Sequence, residues 1–96
     1  MNLQEEYEQK AQAKLNELNA EIEKLQAKVQ GAEADAKIEY KKEIEKLSRL
    51  KDDFSKKLEA LKEAGSSSWY EMKSEMEKLR STVESTLKSV ISKFQS

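Results

Sequence analysis

Apolar residues recur at steps of three or four along the first two thirds of the chain: Leu3, Tyr7, Ala11, Leu15, Leu18, Ile22, Leu25, Val29, Ala32, Ala36, Tyr40, Ile44, Leu47, Leu50, Phe54, Leu58 and Leu61. The mean step is about 3.6 residues, the period of an α-helix with one apolar face. From Leu15 to Ala36 the steps alternate between three and four, the heptad spacing of a coiled-coil seam. From Ala36 to Leu58 they form two eleven-residue repeats, which favour nearly straight helices. The pattern stops at Ala64-Gly65-Ser66-Ser67-Ser68. Gly65 suits the left-handed residue that follows a helix, and Ser68 with Glu71 has the spacing of a capping box. A second stripe follows: Trp69, Met72, Met76, Leu79, Val83, Leu87, Val90 and Phe94. The prediction is an all-α chain and a single domain over 1–96: a helix over about 2–64, a turn at 65–68 and a helix over about 69–95, folded back as an antiparallel helical hairpin or coiled coil.

Gly31 is the weak point of the long helix, because Gly in a helix interior costs about 1 kcal/mol relative to Ala. A turn there gives the alternative, a three-helix bundle with helices near 3–30, 32–64 and 69–95. Ala32, Glu33, Ala34 and Ala36 are good helix formers, and the stripe crosses Gly31 in step. A one-residue link is also shorter than the usual connection of about 2–8 residues. These points favour a continuous helix.

If Gly65 marks an antiparallel turn, facing residues of the two helices have numbers that add to about 133. The hairpin core is then Tyr40, Ile44, Leu47, Leu50, Phe54, Leu58 and Leu61 against Trp69, Met72, Met76, Leu79, Val83, Leu87, Val90 and Phe94. The second helix reaches only to Tyr40. The seam of Leu15, Leu18, Ile22, Leu25, Val29, Ala32 and Ala36 stays uncovered, and an open apolar seam marks an interaction surface. Self-association through it is expected, as a homo-oligomer and most simply an antiparallel dimer.

Composition narrows the function classes. Charged residues make up 39% of the chain and apolar ones 36%, enough for a stripe on each helix but not for a thick core. Net charge is −1, so no global field draws the chain to nucleic acid. Acidic and basic residues alternate throughout, and no nucleic-acid partner is expected. The absence of Cys and His removes thiolate chemistry and the commonest general base and metal ligand. No catalytic, cofactor-binding or metal residues are assigned, and an enzyme is not expected. The opening Met1-Asn2-Leu3-Gln4-Glu5-Glu6 lacks the basic start and apolar run of a signal peptide, and no apolar run approaches the ~20 residues of a membrane span. A cytoplasmic location is the expectation.

The run Ala32-Glu33-Ala34-Asp35-Ala36-Lys37-Ile38-Glu39-Tyr40, the Leu-rich segment up to Ala64 and the aromatic helix opening at Trp69 resemble a group of short bacterial coiled-coil proteins of unknown function. The likeness spans most of residues 30–94. A second Trp that goes with the terminal helix of that group is absent here. The resemblance implies a coiled-coil fold and carries no activity or site residues.

Few side chains suggest chemistry. Trp69-Tyr70 could form a ligand platform, but packing over the turn is the simpler role. Asp52-Asp53 and Glu5-Glu6 point about 100° apart on a helix and chelate poorly. Met72 and Met76 suit a core as well as an adaptable groove. The segment from Ser85 carries Lys88 and Lys93, no acid, and Leu87, Val90, Ile91 and Phe94. It could lie on a membrane surface or pack on the first helix. The function expected is a non-catalytic structural or interaction protein that assembles through coiled-coil contacts, a scaffold or adaptor with an unidentified protein partner. The alternative is a peripheral protein that associates with lipid surfaces through an amphipathic helix.

Overall fold

A computed structural model describes residues 3–95, with Ser66 described by its backbone alone. Among these residues the chain is all-helical, with helices α1 (Leu3–Gln30), α2 (Ala34–Glu63) and α3 (Ser66–Gln95) and no strand. The expected start at residue 2 lies outside the described residues. The long helix expected over 2–64 is two helices, separated by Gly31, Ala32 and Glu33, and the three helices fit the alternative with a turn at Gly31. The Cα trace measures 51 × 20 × 18 Å. A thirty-residue helix is about 45 Å long, so the three described helices lie side by side.

The break follows from a comparison of energies. An interruption forfeits a few backbone hydrogen bonds, each worth about 0.5–1.5 kcal/mol net, at a site where Gly already weakens the helix. In return α1 buries Ala11, Leu15, Leu18, Ile22, Leu25 and Val29 within the chain. Each large apolar side chain taken from water contributes about 1.5–3 kcal/mol, so burial outweighs the broken turn. The link is also longer than Gly31 alone. Three residues connect the helices, within the ordinary range. The N–H groups of Gly31 and Ala32 donate to Lys28 and Val29 C=O at 3.2 and 3.0 Å, the tightened last turn that many helix ends adopt. Glu33 is the N-cap of α2, with φ −68°, ψ 157° and no side-chain cap bond.

The second turn is also shorter than expected. Helix α3 begins at Ser66, three residues before Trp69, so the turn is Ala64-Gly65 rather than 65–68. Gly65 is not left-handed. Its C=O caps α3, accepting from the N–H groups of Ser68 and Trp69 at 3.2 and 3.1 Å. The capping box is replaced: Ser68 stands inside the first turn of α3, and its hydroxyl donates to Gly65 C=O at 3.4 Å.

Helix α2 runs close to both neighbours, while α1 and α3 meet chiefly through side chains. Leu18, Ile22, Leu25 and Val29 of α1 pack with Ile44 and Leu47 of α2 and Val83 and Val90 of α3. Ala11 and Leu15 pack with Phe54, Leu58, Leu61, Trp69 and Met76. The seam expected to stay open is therefore covered within one chain. The expectation assumed that only the second helix folds back, and the break at Gly31 lets α1 fold back as well. Ala32 and Ala36, at the turn, are half-buried.

Two predictions follow from this packing. Leu18→Ala, at a fully buried site, should lower unfolding free energy by about 2–5 kcal/mol, whereas Leu3→Ala, at a residue 75% exposed, should change it by less than about 0.5 kcal/mol. Urea denaturation of both variants checks this, and equal effects would be incompatible with a covered α1 stripe. Gly65→Ala should stabilise by about 0.4–1 kcal/mol, since the backbone there is not left-handed and an added Cβ meets nothing within 4 Å. A fall in melting temperature would contradict that geometry.

Candidate functional site

The polar and aromatic groups that tie the helices together sit around the core. They also fix the relative registers. Lys93 Nζ lies 2.8 Å from Glu43 Oε1, and Lys57 Nζ lies 3.6 Å from Glu75 Oε2. Tyr40 and Phe94 stack with ring centroids 4.1 Å apart. The numbers in these three pairs add to between 132 and 136, so α3 runs antiparallel to α2. Between α1 and α3, Tyr7 donates to Glu77 at 2.7 Å and Lys14 lies 3.1 Å from Glu84. Both pairs are offset by 70 residues, a whole number of heptads, so these two helices run parallel and in phase. Lys62 reaches Gln12 Oε1 at 3.4 Å across α1 and α2.

Four ionisable groups are shifted by these contacts and by burial: Tyr7, Glu43, Glu84 and Lys93. The Lys14 ammonium, hydrogen-bonded to Glu84, holds its carboxyl below the usual range, with help from Arg80. The hydrogen bond from Lys93 does the same for Glu43, and Glu43 in turn raises Lys93. Burial pushes the Tyr7 phenol well above its usual range, and the hydrogen bond to Glu77 adds to that.

One end of the molecule is aromatic. Trp69 is 4% exposed and packs in the core with Ala11, Phe54, Leu58 and Leu61. Tyr7 and Tyr70 meet it edge-on, at 5.8 and 5.3 Å between centroids. Lys73 Nζ stands 5.2 Å from the Tyr7 ring centre and 5.6 Å from that of Trp69, within cation–π reach. The Trp69 indole N–H is buried with no partner, a cost of about 1–3 kcal/mol set against burial of the largest side chain in the sequence. A shallow cleft of about 160 Å³ opens here between Leu3, Tyr7, Trp69 and Tyr70. Of the pair singled out in the sequence, only Tyr70 faces solvent, 72% exposed.

The opposite end holds a larger groove of about 440 Å³, between the end of α1 and the start of α2, lined by Val29, Gln30, Lys37, Lys41 and Ile44. Met76 is buried and Met72 half-buried against the core around Trp69. Val90 is buried, with Leu87, Ile91 and Phe94 half-buried, so the apolar face of the last segment is largely taken up inside the chain. Asp52 and Asp53 are exposed, as are Glu5 and Glu6. Among the described residues, no three of His, Cys, Asp or Glu are grouped to hold a metal ion, and no helix is long and apolar enough to cross a membrane.

Sequence reasoning missed Tyr7 as a partner of Trp69 and Glu43 as the anchor of Lys93. The first had a signal: both residues belong to the apolar stripes, and a parallel α1 and α3 in heptad phase bring them to one end. The second had only a weak one: the antiparallel register puts Lys93 within a turn of Glu43, but Glu43 is one of nineteen acidic residues. Comparison with family models, curated proteins and solved structures returns no match to this chain.

The ion pairs predict acid sensitivity. A carboxyl held low in the folded state contributes stability that is present above its unfolded value and lost as pH falls through the folded one. Unfolding free energy should therefore decline below about pH 4.5. Lys14→Met should remove part of that decline, by less than about 1 kcal/mol because Glu84 is 44% exposed. Denaturation at several pH values checks this; an identical decline in parent and variant would show that the pair contributes nothing.

Proposed function

We propose that the chain is a non-catalytic structural module, a three-helix bundle that serves as a scaffold or adaptor and assembles through coiled-coil contacts. The observation that carries this reading is how the apolar residues are used. The buried positions of α1 step by four and three, and those of α3, Trp69, Met76, Val83 and Val90, step by seven throughout. That is the spacing of coiled-coil helices, and it is spent entirely on helix–helix packing. The charged side chains support the same reading, because several bridge neighbouring helices instead of converging on one pocket.

The reading has a direct test. Sedimentation equilibrium from micromolar to millimolar concentration should show reversible self-association at the upper end. Flotation with phosphatidylcholine–phosphatidylglycerol vesicles should leave the protein in the dense fraction. A single 11.1 kDa species at all concentrations would remove self-assembly from the reading. Flotation with the vesicles would replace it with surface lipid association.

A further inference from the structure

We infer that two copies of this chain exchange α1, by straightening residues 31–33 into helix, and form a dimer built on two unbroken antiparallel helices. The inference rests on the assembly reading above and supplies its partner, a second copy of the chain.

Little holds the 31–33 turn closed. Neither glycine of the chain has a left-handed backbone, and a Cβ on Gly31 would meet only Lys28 O, at the ordinary distance of 3.9 Å. Glu33 caps α2 with no side-chain bond. Two short backbone bonds, from Gly31 and Ala32, are the turn's own support. The sequence meanwhile accepts helix there: Val29, Ala32, Ala36 and Tyr40 continue the stripe in step. Short hinge loops between elements that could continue one another invite exchange.

The swapped form can remake the α1 contacts. Residues 3–30 of one copy would lie on α2 and α3 of the other, with Lys14 against the second copy's Glu84 and Tyr7 against its Glu77. The α1–α2 register follows from Lys62 beside Gln12 and from the groove that Val29 and Ile44 line together. Facing numbers add to about 73, so the two-fold axis falls near residue 36. Ala36 of each copy then meets its counterpart, and its small side chain lets two helices approach. Helix α3 ends near Tyr40, where Phe94 stacks, so the two α3 helices stop on opposite sides of the axis without collision. Side-by-side docking of closed copies has less to work with. Among the described residues the large apolar side chains left exposed are Leu3, Ile38 and Tyr70, and Leu3 and Tyr70 share the aromatic end while Ile38 lies near the turn at the other.

The chain has no Cys, which makes the test clean. Lys14→Cys and Glu84→Cys, combined in one chain and treated with a short bismaleimide after size fractionation, should cross-link within the chain in the monomer fraction. In the dimer fraction they should join two chains and give a covalent dimer on a denaturing gel. Two hinge substitutions should move the equilibrium in opposite directions. Gly31→Ala removes the helix penalty in both copies and should raise the association constant roughly tenfold or more. Glu33→Pro suits the closed turn, since φ is already −68°, and breaks a continuous helix; it should lower association roughly a hundredfold or more. A dimer whose cross-links stay within chains would overturn the exchange and leave assembly through the outer surface. No dimer from either the parent or Gly31→Ala would overturn the exchange and self-assembly together. The cross-link pattern decides the question whether or not Glu33→Pro folds.

Discussion

Burial of the α1 stripe between α2 and α3 is the interaction on which the rest depends. A chain with 36% apolar residues has a narrow stripe on each helix. Two such stripes cover each other only along a line and leave their edges wet. A third helix laid into the groove closes that line into a core, and Leu18, Leu47, Val83 and Val90 are all but removed from solvent as a result. The turn at 31–33, the short link at Ala64-Gly65 and the near-equal helix lengths of 28, 30 and 30 residues are consequences of closing that core along its whole length.

The two ends are finished differently. At one, Trp69 fills the space between α1 and α2, with Tyr7 against its edge and Lys73 over both rings. At the other, Tyr40 stacks on Phe94, and Glu43 holds Lys93 close by. Aromatic rings suit these positions, where a helical stripe thins out and one large side chain covers what several aliphatic ones cover in the middle. The ion pairs outside the core contribute modestly to stability, since exposed pairs are worth about 0–1 kcal/mol. Their larger role is register. A shift of α3 by one turn against α2 would separate Lys93 from Glu43 and Lys57 from Glu75 at once.

Helical structure and the α2–α3 register were legible in the sequence, because Tyr40 to Leu61 and Trp69 to Phe94 carry complementary stripes on either side of a single glycine-serine break. Gly31 was legible as a weak point and as the turn of the three-helix alternative, but the other local signals favoured a continuous helix. Glu33 is a weak N-cap residue by type, Ala32 and Ala34 favour helix, and the stripe does not change phase. What decides it is tertiary: six α1 side chains gain a core. The start of α3 was displaced by three residues for a related reason. Ser66, Ser67 and Ser68 are poor helix formers, yet Gly65 C=O accepts two N–H groups, and the packing of Trp69 fixes the first turn behind it. The aromatic end was half legible. Trp69 was marked by its place at the head of a stripe, but Tyr7 joins it only once α1 is known to fold back.

The same property explains why the sequence supports two readings of residues 31–33. A core built from three stripes needs an α1, and nothing in the packing specifies whose. The covalent link decides it, and that link is a turn without a left-handed residue or a side-chain cap. Within one chain the link holds α1 at a high effective concentration, which favours the closed form in dilute solution. That advantage is entropic and does not grow with protein concentration, whereas association does. The helix-forming residues around Gly31 oppose it by lowering the energy of the straight form. In the exchange inferred above, the balance between closed chain and exchanged pair would therefore be set at Gly31, Ala32 and Glu33, away from the core that both forms would share.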